Sequence, residues 1–415
     1  MSIKKEQPFS GLSLRERDLR WQRTRKFLQD RQLDALLVIG SRHSEPLDRY
    51  LSNWIPGNTV IFPQETEPTL LVAMVPEVLA IGPDTPEEVR PWIRDIRGGT
   101  RGAVIVATLK EKGLEKGRIG TLGIGGLRTD WEGWAPYRTW ERVVNSLPGC
   151  TFEDVTDAFA RLMMVKSDEE LALVRRSARI LELAGQEMAR AVAPGVSERD
   201  VFEAYMKVLL ENGVHAPFQI IRSGPDTISW GQPAWLFGVG SPRVIQPGDV
   251  VLAEIFASTG GLEAQIQMAV AVPPVAAVDA ECAALARRAY EKGIEHLRPG
   301  IKFGEVVDAM DAVVSGSRAW YLTPLIHNMN PMLCISATGV GIETMPGVTA
   351  CRNVGTGRIR GADVVLQPGM VFELEPNACI RRHRVNIGGT AIVTENGAEP
   401  LNEISTRMQV AGGAL

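Results

Sequence analysis

Two segments of the chain share one pattern: a Pro-Gly turn, an apolar strand, then a glutamate. They read PGDVVLAE from Pro247 to Glu254 and PGMVFELE from Pro368 to Glu375. Side chains alternate between the faces of a strand, so Val250, Leu252 and Glu254 share one face and Val251, Ala253 and Ile255 the other. After a turn at Gly260-Gly261, LEAQIQMAVAV places Glu263, Gln265 and Gln267 on one side, with Leu262, Ala264, Ile266 and Met268 opposite. Glu373 and Glu375 likewise share a face. An apolar strand that ends in an inward carboxylate needs a reason, because an unpaired buried carboxylate costs several kcal/mol or takes up a proton.

Helical periodicity frames both segments. Ser167 and Glu170 form a capping box, and Leu171, Val174, Ala178 and Leu181 then recur on one face. That helix ends near Pro194-Gly195, and Ser197 with Asp200 starts a second. Residues 279–297 repeat the layout, Pro299-Gly300 breaks them, and FGEVVDAM opens another helix. Each helix pair precedes strands, so residues 161–415 are expected to hold two copies of one unit, packed about a pseudo-two-fold with a cleft between their sheets. The preceding region, residues 1–160, reads as α/β. An amphipathic helix from Leu14 leads into the strand Asp34–Gly40, and further strands are expected at Asn58, Thr69, Gly102 and Gly117. No GxGxxG follows the first strand and no GxxxxGK[ST] occurs, so nothing supports a nucleotide fold.

Composition narrows the function classes. The chain has 415 residues, 45% hydrophobic and 23% charged, with a formal net charge of -4. The basic residues between Arg15 and Lys26 alternate with acids, as on a solvated helix face, so no nucleic-acid surface is expected. The N-terminus does not read as a signal peptide, and no run of about twenty apolar residues suggests a membrane span. Five cysteines scattered without a CxxC pair fit a reducing cytoplasm.

If the related strands face each other, Glu254 and Glu375 share a cavity, with Gln265 and Gln267 lining it. Of the five histidines, His43, His215 and His296 have apolar or helical neighbours. His327, in the shaped loop TPLIHNMNPM, and His383, in the connection IRRHR, are the candidates to carry a proton near neutral pH. Trp230 and Trp235 offer an apolar or cation-binding wall. A metal site needs three or more close ligands. The sheet faces offer two glutamates beside two amides, so no metal and no cofactor is expected.

MVKSDEELALVRRSARI and PGMVFELEPN resemble the entry helix and signature strand of the family of creatinase, prolidase and methionine aminopeptidase, the M24-like pita-bread proteins. The resemblance covers nearly the whole chain. It implies an α/β N-terminal domain followed by a C-terminal α+β pita-bread domain with internal duplication, and a homodimer. The metallopeptidases of this fold hold two metals with two aspartates, a histidine and two glutamates. Here Glu254 matches the first aspartate, Gln265 the second, Thr338 in ATGVG the histidine, Glu375 the first glutamate and Gly388 in NIGGT the second. Four of these five positions are changed. Creatinase is a member without metals that hydrolyses a C–N bond. Its conserved glutamate corresponds to Glu375, its other glutamate to Gln267, and its catalytic histidine to Gly231, beside Trp230.

These readings together imply a metal-independent hydrolase, or a related lyase, acting on a C–N bond of an amide, urea or amidine type in a small polar metabolite. Glu375 takes a proton, Glu254 acts as acid or holds a cationic group, and His327 or His383 relays the proton. Gln265 and Gln267 orient the substrate. Two alternatives stand beside this: a metal enzyme with altered ligands, and a pseudopeptidase with a binding or assembly role.

Overall fold

The computed structural model describes residues 11–413 except 42–45, 74, 81–84, 128–131, 215–217, 227, 229–230 and 346–358. The chain divides into two compact units, one spanning Phe9–Met163 and one built on Met164–Leu415.

In the first unit, α1 (Leu14–Asp30) starts at Ser13, whose hydroxyl accepts the Glu16 N–H at 3.2 Å. The apolar runs that follow become β1 (Ala35–Ile39), α2 (Leu47–Ser52), β2 (Thr59–Pro63), β3 (Thr69–Val72), α3 (Val75–Leu79), β4 (Asp95–Gly98), α4 (Gly102–Glu111), β5 (Arg118–Leu122), α5 (Tyr137–Ser146), β6 (Thr151–Asp154) and α6 (Thr156–Met164). Among the described residues the strands form one six-stranded sheet ordered β4-β3-β2-β1-β5-β6. GAVIVAT, expected as a strand, is the start of helix α4. A short apolar run fits a strand or a buried helix equally well, and topology decides between them. β4 runs parallel to β3 and β5 parallel to β1, so the link from β4 to β5 must cross over the sheet, and a helix does this. Ile105, Val106 and Leu109 then fall on its buried side. Gly102 lets α4 approach α5, since a Cβ there would lie 2.6 Å from the Thr139 carbonyl oxygen.

Trp21, Trp134 and Trp140 serve packing in this unit. Trp21 donates to the Leu51 carbonyl at 2.9 Å and meets Phe62 edge-on, Trp134 donates to the Ile39 carbonyl at 2.6 Å, and Trp140 packs on Phe152. Asp48, at the start of α2, is fully buried and accepts the Gly57 and Asn58 N–H groups at 2.9 Å each. Burial outweighs those bonds and raises its pKa from 3.8 to about 7.

In the second unit, α7 (Asp168–Ala191) and α8 (Glu198–Glu211) carry the expected capping boxes. Then come β7 (Gln219–Gly224), β8 (Val250–Thr259), β9 (Leu262–Ala271), α9 (Ala277–His296), α10 (Phe303–Ser315), β10 (Ile326–Asn328), β11 (Val371–Leu374), β12 (Asn377–Ile380), β13 (His383–Asn386), β14 (Gly388–Thr394), β15 (Gly397–Pro400) and β16 (Gln409–Val410). The main sheet runs β10-β11-β14-β9-β8-β7, with antiparallel neighbours throughout this order. β15 pairs with β14 and β16 with β9, while β12 and β13 form a separate ribbon. α7 packs on β8 and β9 through Ala178, Leu181, Ala184 and Met188 against Ala253, Ile255, Ala264, Ile266 and Met268. Almost every residue of β8 and β9 is buried, on both faces. The face that carries the polar residues is therefore covered rather than solvated.

Matching hydrogen bonds tie each helix pair to the strand segment that follows. Gly195 donates to the Ile245 carbonyl and Gly300 to that of Leu366, and both glycines have positive φ (87° and 84°). Ile245 and Leu366 donate back to Val196 and Ile301, while Gly248 and Gly369 donate to Val272 and Val393.

Because Asp48 binds its proton more tightly in the folded state, its stabilising contribution is complete below the ordinary carboxylate range. That contribution fades as pH rises toward 7. Replacing it with asparagine should keep the two accepted bonds and remove the titration. Followed by denaturant unfolding with tryptophan fluorescence, Asp48→Asn should gain stability relative to the parent by up to about 1.4 kcal/mol per pH unit across that window. A difference that does not change with pH contradicts the assignment.

Candidate functional site

The β8–β9 register sets Glu254 opposite Gln267 and Phe256 opposite Gln265. Gln267 is in turn opposite Gly388 on β14, which brings the second glutamate strand alongside. Gln267 Nε2 donates to Glu375 Oε2 at 2.8 Å, and Asn386 Nδ2 donates to Gln267 Oε1 at 2.7 Å. His327 lies in β10 rather than in a loop. It is opposite Glu373, and its Nε2 is 3.4 Å from Glu375 Oε1, while Nδ1 is 3.1 Å from the Asn328 carbonyl. Glu254, Gln265, Gln267, His327, Glu373, Glu375, Arg384 and Asn386 are all between 0% and 5% exposed. The structure therefore gathers Glu254, Gln265, Gln267, His327 and Glu375 on one covered face.

The surrounding loops are fixed by asparagines. Asn377 accepts the Leu322 and Thr323 N–H groups and donates to the Thr323 carbonyl, which sets Thr323 beside the site. Asn330 exchanges two bonds with the main chain of Glu263, at 3.0 and 2.9 Å, as a neighbouring strand would. Thr390 does the same for Gln265, whose N–H it accepts at 2.9 Å and whose carbonyl lies 3.0 Å from the hydroxyl.

Proton affinities follow from this burial. Desolvation, then the neighbouring Glu254, raises the Glu375 pKa well above the ordinary carboxylate range, and Arg384 opposes the shift. Glu373 is raised well above it too, first by burial and then by Glu375 and Glu254, because only the Thr390 hydroxyl (3.2 Å) works the other way. Burial lowers the Arg384 pKa from its ordinary value.

Two sequence candidates fall elsewhere. His383 begins β13 with its ring turned away from this cluster, and its Nδ1 is 2.9 Å from Asp279 Oδ1 at the start of α9. Alternation along β13 sends Arg384 and Asn386 inward and His383 outward, so the structure does not bring His383 to the glutamates. Trp235 packs on α8: its Nε1 donates to Glu198 Oε2 at 3.1 Å and its ring meets Phe202 edge-on. Trp230 lies outside the described residues. Arg384, Asn386, Glu373 and Thr390 were not among the candidates. In the sequence Arg384 closes the connection IRRHR, whereas a strand that begins at His383 puts Arg384 and Asn386 on one face by their period of two.

The residues present do not suit the family's pair of metal ions. Among the described residues, no group of three or more His, Cys, Asp or Glu side chains is arranged to hold a metal. At the second aspartate position, Gln265 Nε2 donates to Glu263 Oε1 at 2.8 Å. The Glu375 oxygen that faces Gln267 already accepts an N–H. Gly388 has φ 134°, and a Cβ there would collide with the Leu374 carbonyl oxygen, so no side chain fits where the second glutamate would stand.

The family model for metallopeptidase family M24 matches residues 172–395. The chain belongs to this family. Creatinase of Bacillus sp. (strain B-0618) is 23% identical over 278 residues, covering 63% of this chain and 62% of that protein. The probable dipeptidase PepE of Mycobacterium bovis is 26% identical over 252 residues, or 60% of each chain. The matched region thus spans about three fifths of these M24 relatives. Prolidase from Thermococcus sibiricus superposes with a TM-score of 0.73 at 16% identity, covering 96% of this chain and 100% of that one. X-Pro aminopeptidase from Thermotoga maritima superposes at 0.72 and 16%, covering 94% and 99%. These similarities establish an M24 fold, with an antiparallel sheet of the pita-bread kind in the second unit.

Restoring the M24 second glutamate by Gly388→Glu should not create a metal site. It forces a side chain into a strained, filled position and should cost several kcal/mol. Thermal unfolding together with elemental analysis of the purified variant checks this. A stable variant that holds stoichiometric metal would contradict it.

Proposed function

We propose that this M24 protein is a metal-independent hydrolase of a C–N bond in a small, polar, non-peptide metabolite. The observation that carries the reading is the closed array Glu254–Gln267–Glu375–His327, in which an amide donor occupies the carboxylate face that a metal would need. Glu375 is the base. The Gln267 N–H and the nearby Arg384 charge favour its ionised form, so it can take a proton from water as the water oxygen adds to the substrate carbon. Glu254 supplies a proton to the departing nitrogen as the C–N bond breaks. His327, 3.4 Å from Glu375, takes the proton from Glu375 and releases it to solvent, and Glu254 takes one up from solvent, so that both carboxyls return to their starting states for the next cycle. His383 has no place in this scheme. Creatinase, among the matched relatives, supports the choice of a non-peptide substrate.

We also infer that the second unit is an internal duplication about a two-fold. The matched bonds of Gly195 and Gly300, of Ile245 and Leu366, and of Gly248 and Gly369 support it, as does the pairing of Gln267 with Gly388, which occupy corresponding places in the two halves. The expectation of a homodimer, drawn from the resemblance, accompanies this reading.

Turnover of a panel of small amides, ureas and amidines by chelator-treated protein is the expected result. Glu375→Gln, with the fold intact, should lower kcat/KM by about 10²–10⁴-fold. Activity that survives this change, or that disappears on chelation and returns with metal, overturns the proposal. Because burial and Glu254 raise the proton affinity of Glu375, kcat/KM should fall on acidification at a pH above the ordinary carboxylate range. A limb in the ordinary range would show that Glu375 is not the base.

A further inference from the structure

A groove of about 760 Å³ lies along α7, α9 and the segment 400–406, a volume suited to a small molecule. None of its lining residues belongs to the glutamate site. Four of them are glutamates, against one arginine. Glu182 of α7 accepts the Glu403 and Ile404 N–H groups at 2.9 and 3.1 Å, which brings Glu403 beside it. Glu291 and Glu295 stand one turn apart on one face of α9. Arg287 does not balance this charge: its Nε donates to Glu291 Oε1 at 2.8 Å and its Nη1 to the Thr406 carbonyl at 2.9 Å. Among the described residues the Glu403 carboxylate has no ion pair and accepts no hydrogen bond.

An acidic rim alone is an ordinary solvated surface, but a second feature sets this one apart. Tyr290 is 5% exposed, yet it lines the groove and its hydroxyl has no hydrogen-bond partner among the described residues. A buried phenol usually finds a partner, because the unmade bond costs free energy. Burial, and then the charge of Glu373, raise its pKa, so it stays a neutral phenol whose oxygen can accept an incoming N–H. Ile294, one turn along α9, and Leu401 continue the apolar wall. We propose that this groove binds a linear aliphatic diamine. One ammonium meets Glu182 and Glu403 and the other Glu291 and Glu295, the methylene chain lies along Ile294 and Leu401, and Tyr290 accepts an N–H. Two carboxylate pairs favour two charges over one. The apolar wall favours a hydrocarbon spacer over a hydrated metal ion, which would need closely grouped oxygen ligands that the described residues do not offer. A folded basic surface would meet the rim but not the buried hydroxyl. The groove shares no residue with the proposed catalysis and does not depend on the hydrolase reading.

Cadaverine is the simplest probe and needs no turnover. Calorimetric titration of the full chain at low ionic strength should show saturable binding of cadaverine. Pentylamine, with one ammonium, should bind more weakly, and pentanediol, with none, should not bind. Tyr290→Phe deletes only the hydroxyl and should weaken cadaverine binding by about two- to tenfold. Glu403→Gln and Glu295→Gln, one from each carboxylate pair, should each weaken it by about two- to fivefold. Glu211→Gln alters an exposed acid of α8 outside the groove and should leave it unchanged. If Tyr290→Phe does not fold, the two surface variants decide the matter. Absence of saturable cadaverine binding in the parent protein overturns the site. So does binding that a folded Tyr290→Phe leaves unchanged, or a pentylamine affinity equal to that of cadaverine. Weakening by Glu211→Gln as large as that by Glu403→Gln marks diffuse attraction to an acidic surface and overturns it as well.

Discussion

The side chain of Gln267 joins the parts of the site. It stands opposite Glu254 within one hairpin, its main chain pairs with Gly388 of the other, its amide nitrogen donates to Glu375, and its oxygen accepts from Asn386. A hydrogen-bonded amide has a fixed orientation only when both ends are engaged, and here Asn386 fixes the oxygen so that the nitrogen must face the carboxylate. A carboxylate in place of Gln267 would bring another acid to a covered face already rich in acids. An apolar residue there would take the amide donor from Glu375 and leave the Asn386 amide only the Ala253 carbonyl, at 3.4 Å. Each would cost free energy that a buried network cannot recover elsewhere.

From this follows a division of charge that differs from a metal centre. In a two-metal site the cations neutralise the acids. Here burial raises the proton affinity of Glu373 and Glu375, and one guanidinium and a set of neutral donors work against it. Glu373 has no donor beyond a shared hydroxyl, while Glu375 has an amide, an imidazole nearby and the Arg384 field. Environments that push neighbouring carboxyls apart are the usual way a protein obtains acid and base from one residue type.

Much of this was legible in the sequence because it depends on local rules. The capping boxes at Ser167 and Ser197, the Gly260-Gly261 hairpin and the period-two faces of β8 and β9 need only neighbours along the chain. What was not legible depended on long-range topology. α4 looked like a strand because its apolar run is short, and only the parallel pairing on either side requires a crossover helix. His327 resembled a loop residue because β10 is short and finds its partner β11 far along the chain. Arg384 was hidden in the connection IRRHR, which also left His383 looking available when Asp279 holds it.

The seam between the two halves of the main sheet is narrow. β9 and β14 share the register pairs Gln267–Gly388 and Gly389–Ile266, and beyond them the Thr390 hydroxyl stands in for the ladder at Gln265. A join of this kind resists sliding, since a one-residue slip would turn every polar side chain to the wrong face, but it resists bending far less than a full ladder does. The Gly388-Gly389 step is therefore where the angle between the half-sheets is set, while each half keeps its own register. Curvature at this one crease, rather than the conformation of any single loop, sets the separation of the strands that carry Glu254 and Glu375.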